Sequence, residues 1–240
     1  MIGVHNIKVA LMDYDLYALQ AVNSYLAWDR RTRVVGRFES HEALQAWLAE
    51  TPEVERPDVT LYEADWARSP AALRAALESL GDAAGRRLCL SVRPERENVL
   101  AADAAGAVGF LVKSDVRIGI AGAIVHSLTH EFVISLSVAE IMGDDLTRLL
   151  PHAEVLPGLR RHPGLTERVE QALRLCVIEG MPADLAADEM GVSPHTVRSY
   201  VKEGYRVLEA HDDTHFPVHM SPIERAFMRF TALGGGEGDQ

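Results

Sequence analysis

Along the first half of the chain, short apolar runs alternate with longer stretches whose apolar residues recur at helical spacing. Ile7 to Met12 (IKVALM) is compact and mostly apolar, and it stops at Asp13-Tyr14-Asp15. Such a run predicts a buried strand ending in an acidic corner. Leu16 to Trp28 then follows helical periodicity. The same pair of signals repeats: strand Arg33–Phe38 with a helix from Ser40 to Leu48, strand Pro57–Glu63 with a helix from Pro70 to Leu80. Two more follow: strand Arg87–Val92 with a helix from Glu95 to Ala105 ended by Gly106, and strand Val108–Val112 with a helix from Ile118 to Leu128. Five strand–helix repeats predict a five-stranded parallel sheet, doubly wound with helices on both faces, in a domain spanning residues 1–130. The functional crevice of such a sheet lies outside the carboxyl ends of its strands. Asp13, Tyr14, Asp15, Glu63, Ser91 and Lys113 stand at those ends.

From Glu131 to Pro163 the pattern dissolves. Phe132 to Leu136 is apolar, Ala139 to Leu150 has helical spacing, and Pro151, Pro157, Gly158 and Pro163 punctuate the rest. Structured connections are usually far shorter, so residues 131–163 read as an interdomain linker holding one helix. Helical periodicity then returns over an all-α domain, residues 164–233. Gly164 to Gly180 predicts a helix capped by Thr166, with Val169, Leu173, Cys176 and Val177 on one face. Met181 to Leu208 reads as two helices around the turn Met190-Gly191-Val192, with Ser193 capping the second and Pro194 in its first turn. In that second helix Val197, Val201, Tyr205 and Leu208 form a buried stripe, and Arg198, Lys202 and Arg206 form an outward basic row. Pro222 to Leu233 is a last amphipathic helix with Ile223, Ala226, Phe227 and Phe230 on one face, and residues 234–240 form a glycine-rich, disordered tail.

A capped helix with an apolar back and a basic front is what a helix-turn-helix presents to the DNA major groove. Composition narrows the reading. The formal net charge is −11, so contact with DNA must be local rather than spread over a basic surface. Cys89 and Cys176 lie in apolar sequence and read as buried, reduced thiols, which fits a reducing cytosol. No leader pattern appears, and no apolar stretch reaches the ~20 residues of a membrane span, so a cytoplasmic protein without membrane contact is expected. His211, His215 and His219 recur at intervals of four, but Pro217 breaks the helix that would align them, so no metal is expected. No nucleophile–base pair or cofactor fingerprint supports an enzyme, and no cofactor is expected.

Residues 7–128 resemble the receiver domain of bacterial response regulators, on the segments IKVALMDYD, PDVTLYEAD and AGAVGFLVKSD. That resemblance implies a phosphoacceptor at the end of the third strand, a Mg²⁺ site after the first, and phosphoryl contacts from Ser91 and Lys113. It also places Phe110 at an aromatic switch position. Two positions depart from the pattern: Glu63 stands at the phosphoacceptor position and Tyr14 at the second acidic position. Glutamate reaches one methylene further than aspartate and misses the in-line geometry of phosphoryl transfer. Tyr14 removes negative charge from a cation site that demands near-ideal oxygen geometry. Phosphorylation is therefore expected to be lost. Glu63 then acts either as a permanent anion imitating the phosphorylated state or as part of a degenerate pocket closed by a Glu63–Lys113 ion pair. A conventional acceptor at Asp13 or Asp65 is the competing reading.

The stretch LTERVEQALRLCVIEGMPADLAADEMGVSPHTVRSYVKEGYRVL resembles the DNA-binding domain of the LuxR/NarL class. Gly180, Ala186, Gly191-Val192-Ser193 and Thr196-Val197-Arg198 carry the match; Val169 and Gln171 depart from it, as does a long loop after Leu208. The resemblance makes the helix from Pro194 the recognition helix. Arg198 is the candidate for base readout, because its guanidinium can bond guanine bidentately. Ser193, His195, Thr196, Ser199 and Lys202 are candidates for phosphate contact and register, and Arg206, farther along, for the DNA backbone or for a neighbouring acid such as Glu203 or Glu209. The expected partners are double-stranded promoter DNA and a second copy of the chain, with the last helix either pairing two DNA-binding domains or packing within its own. Tyr14 also opens the alternative that a small molecule or partner protein regulates the receiver-like domain.

Overall fold

The computed structural model describes residues 6–210, 212, 214–217 and 219–234. The chain divides into two compact units, one ending at Gly158 and one beginning at Leu159. In the first, the strands are β1 (Ile7–Met12), β2 (Thr32–Phe38), β3 (Val59–Glu63), β4 (Arg86–Ser91), β5 (Gly109–Val112), β6 (Phe132–Ile134) and β7 (Ala153–Val155). They form one parallel sheet in the order β2-β1-β3-β4-β5-β6-β7. The helices are α1 (Leu16–Trp28), α2 (His41–Glu50), α3 (Pro70–Ser79), α4 (Arg96–Ala104), α5 (Lys113–Val116), α6 (Ile120–Ser127), α7 (Leu136–Met142) and α8 (Leu146–Leu149). Asp15, Ser40 and Ser69 cap α1, α2 and α3 by accepting from backbone N–H groups of the first turn. β3 is buried along its whole length, as expected of a central parallel strand covered on both faces.

Seven strands, rather than five, correct the expected sheet, and the extra two come from the segment read as a linker. β6 pairs with β5 and β7 with β6, while Val138, Met142 and Leu150 join the main core beneath them. Gly109 shows how tightly the addition fits. A Cβ there would lie 2.4 Å from the Val133 carbonyl oxygen, so only glycine permits β6 to approach. The expected helix Ala139–Leu150 is broken in two, with Gly143 in a left-handed conformation (φ 53°) between α7 and α8.

The second unit contains α9 (Glu167–Leu173), continued by a π-helical stretch Arg174–Ile178, then α10 (Ala183–Met190), α11 (Pro194–Ala210) and α12 (Pro222–Phe230). Thr166 caps α9 as predicted. Val169, Leu173, Val177 and Leu208 pack with Ala226, Phe227 and Phe230, so the apolar face of α12 is spent within its own unit. A second cluster joins Leu175, Ala186, Ala187, Met190 and Val197 and fixes α10 against α11. Cys89 is buried, with its thiol pushed up to about 12 by burial, whereas Cys176 is only half-buried, which corrects one of the two cysteine expectations. Among the described residues no helix is long and apolar enough to cross a membrane. The glycine-rich tail beyond residue 234 and His211 lie outside the described residues, and 214–217 are not helical.

Candidate functional site

The charged residues singled out in the sequence lie in two places. The first is the carboxyl edge of the sheet, where the direction of chain crossover reverses between β1 and β3. Asp13 is buried, and its Oδ2 accepts from Lys113 Nζ at 2.6 Å, while its Oδ1 accepts from the Asp15 N–H at 2.9 Å. The pocket's ion pair is therefore Asp13–Lys113, and not the Glu63–Lys113 pair that the sequence suggested. Asp15 turns its carboxylate to the N-terminus of α1, accepting from the N–H groups of Tyr17 and Ala18.

Glu63 is also buried, and its Oε1 accepts from the Asp65 N–H at 2.8 Å. Burial is the main influence on its carboxyl and raises its pKa; the Asp65 N–H and the charge of Lys113 oppose that rise. Asp65 reaches across to the tip of β4. Its Oδ1 accepts from Ser91 Oγ at 2.5 Å, and its Oδ2 accepts from the Val92 N–H at 2.6 Å and the Arg93 N–H at 3.3 Å. Ser91 is thus occupied by a carboxylate of the same chain. The sequence pointed to Asp65 only in passing, because its partners lie 26 to 28 residues further on.

Tyr14 is half-exposed; its Oη accepts from the His41 N–H at 3.2 Å and its ring packs on Trp66 at 5.4 Å. It belongs to an aromatic group with His41 and Tyr62, in which Tyr62 Oη and His41 Nδ1 are 3.0 Å apart. Phe110 is 0% exposed in the core beneath β5, a strand that β6 converts from edge to interior. Beside Lys113 an apolar cleft of about 440 Å³ opens between α1 and the segment 113–120, lined by Ala18, Ala21, Val22, Tyr25, Val116 and Ile120.

The second place is the outward side of α11. Gly191 ends α10 in the left-handed conformation (φ 66°), which turns the chain within two residues into the next cap. Ser193 Oγ accepts from the Thr196 N–H at 3.1 Å and bonds Thr196 Oγ1 at 2.8 Å. Val197 and Leu208 are buried and Val201 and Tyr205 half-buried, so the opposite side faces outward. Arg198, Lys202 and Arg206 are all exposed there, one helical turn or about 6 Å apart along the axis. His195 and Ser199 are exposed on the same helix, and Ser199 Oγ donates to the His195 carbonyl at 3.0 Å. Arg198 meets Asp184 of α10 at 3.3 Å and Arg206 meets Glu203 at 2.6 Å. Asp184 is a neighbour that spacing along α11 could not reveal.

Comparison with known proteins gives the following. Residues 159–208 match the family model described as Sigma-70, region 4, a stretch that spans α9, α10 and most of α11. Among solved structures, the chain is similar to RcsB of Salmonella enterica serovar Typhimurium bound to the promoter rprA in the presence of the phosphomimetic BeF3- (16% identity, 95% of this chain and 100% of that chain, TM-score 0.46). It is similar to the signal receiver domain of the response regulator NarL from Mycobacterium tuberculosis (24% identity, 52% and 99%, TM-score 0.44). It is also similar to the response regulator ChrA of a heme-sensing two-component system (19% identity, 95% and 99%, TM-score 0.42). No curated protein matches the chain.

Proposed function

We propose that this protein is a sequence-specific DNA-binding transcriptional regulator whose reading element is α11 and whose receiver-like unit works without phosphorylation. The observation that carries the reading is the capped, 17-residue helix with Arg198, Lys202 and Arg206 exposed on one side. At about 25 Å it is long enough to lie in the major groove. In this reading Arg198 addresses a base edge, while Ser193, His195, Thr196, Ser199, Lys202 and Arg206 serve the phosphates and the register. The chain is acidic as a whole, so one short basic row supplies little non-specific affinity and two copies on one operator are the expected assembly. The domain of residues 164–233, within the second unit, holds this activity; the match of residues 159–208 to the Sigma-70, region 4 model supports that placement.

Independence from phosphorylation is supported by the strand-end crevice. Asp13 is committed to Lys113, the acceptor position holds a buried glutamate, and Asp65 already fills the donors Ser91, Val92 N–H and Arg93 N–H. A phosphoryl group arriving at this edge would have to displace a carboxylate of the chain from each of them. The test is to select a binding site from a random duplex pool with the full-length protein and to compare gel shifts at physiological salt. Arg198→Ala/Lys202→Ala is expected to lose binding to that site; unchanged binding would overturn the assignment of α11.

A second control mode has its own observation. The apolar cleft beside Lys113 is of the size that small organic ligands occupy. A ligand or partner protein seated there would act on α1 and the Lys113–Asp13 pair. A thermal-shift screen of the full-length protein that finds a stabilising ligand, abolished by Ala21→Trp, supports this mode; no ligand found counts against it.

A further inference from the structure

Outside both charged places, the end of α6 and the last strand of the sheet bring two histidines and a glutamate together. His126 Nε2 lies 3.0 Å from Glu154 Oε1, and His130 Nε2 lies 3.1 Å from Glu154 Oε2. The two imidazoles are stacked, with ring centroids 4.0 Å apart and planes inclined by 15°. Their nitrogens therefore converge on one carboxylate from the same side. All three potential ligand atoms lie within 4.8 Å of one another.

The contacts of the cluster fix the orientation of its rings. His130 Nδ1 is 2.7 Å from the carbonyl oxygen of His126. Its Nε2, like that of His126, is turned to a carboxylate oxygen of Glu154. A backbone carbonyl holding the far nitrogen is also how a metal-binding histidine is oriented.

We propose that His126, His130 and Glu154 form a binding site for a borderline divalent transition metal, with Zn²⁺ as the best match. Two imidazole nitrogens and one carboxylate suit zinc and its neighbours and do not suit Mg²⁺ or Ca²⁺, which take oxygen. Around tetrahedral zinc, with bonds of about 2.0–2.2 Å, neighbouring ligand atoms sit about 3.3 Å apart. The contacts of 3.0 and 3.1 Å need only a small opening to reach that edge. Three protein ligands leave the fourth position to water or to an incoming donor. The site ties the turn after α6 to β7, a three-residue edge strand, and so fastens the segment added beyond β5. It does not depend on how the protein uses α11.

The test uses the full-length protein, stripped with chelator and titrated with ZnCl₂ in a calorimeter and with Co²⁺ in a spectrometer. One equivalent of metal is expected, with the visible bands of a tetrahedral Co²⁺ centre and a rise in Tm on zinc addition. His126→Ala, His130→Ala and the near-isosteric Glu154→Gln should each weaken zinc about tenfold or more. Circular dichroism of each stripped variant establishes that its fold is intact. The variant His211→Ala/His215→Ala/His219→Ala should bind as the wild type does. Absence of stoichiometric binding, or binding that follows the 211–219 histidines instead, would overturn the proposal.

Discussion

The strand-end crevice and the outer row of α11 are both built from acids paired with bases, yet they are built for opposite purposes. In the crevice the partners are nearly enclosed: the Lys113 and Asp13 side chains are 17% and 6% exposed. On α11 the partners stand in water, with Arg198 63% and Asp184 74% exposed. Solvent decides what each arrangement can do. An exposed pair is worth about 0–1 kcal/mol and can be exchanged for a phosphate without loss. An enclosed pair holds its members in place, because removing one strands the other in a poorly solvated site. One region is open to a new partner, and the other has supplied its own.

The sharpest break of that contrast is Lys113→Ala, which leaves Asp13 buried without its cation. It is expected to destabilise the first unit by about 3 kcal/mol in urea denaturation, and Asp13→Ala/Lys113→Ala by less than the single change. Next in size, Arg198→Ala/Lys202→Ala should cost about 1–3 kcal/mol in binding to a selected DNA site, roughly ten- to a hundredfold, with no change in Tm. Equal losses of stability at the two places would erase the distinction.

A smaller effect separates burial from pairing. Burial raises the Glu63 carboxyl above its usual value of 4.5, so the folded state holds that proton more tightly than the unfolded chain. Its contribution is favourable below the usual value and is lost as pH rises through the raised one. Glu63→Gln should therefore raise Tm at neutral pH, and the gain should vanish in acid; a loss of Tm at neutral pH would mean that the charge of Glu63 is needed. Smallest of all, Asp184→Ala should tighten DNA binding slightly, by under about 1 kcal/mol, because it frees Arg198 from an exposed competitor.

What the sequence disclosed follows the range of the forces involved. β1, β3, β4 and β5 were legible because each carries a compact apolar run near a charged or turn residue, β2 because it stands between two helical stretches, and the caps Ser40, Thr166 and Ser193 because capping is local. β6 and β7 were not legible. Three residues cannot display a period, and FVI and AEV become strands only by pairing with β5 and with each other. Gly109, the residue that admits β6, looked like any glycine at a strand end. The crevice shows the same limit at the level of side chains. Asp13, Glu63, Ser91 and Lys113 were found by their positions at strand ends, but which acid meets which donor depends on reach across loops. Lys113 chose Asp13, a hundred residues away, and Ser91 chose Asp65.

The most direct measurement is the affinity of the full-length protein for its selected DNA site before and after incubation with acetyl phosphate and Mg²⁺, with intact mass recorded on the same samples. A crevice whose donors are already filled predicts an unmodified mass and an unchanged affinity. A species heavier by one phosphoryl group, accompanied by a shift in affinity, would contradict it and return Asp13 or Asp65 to the role of acceptor.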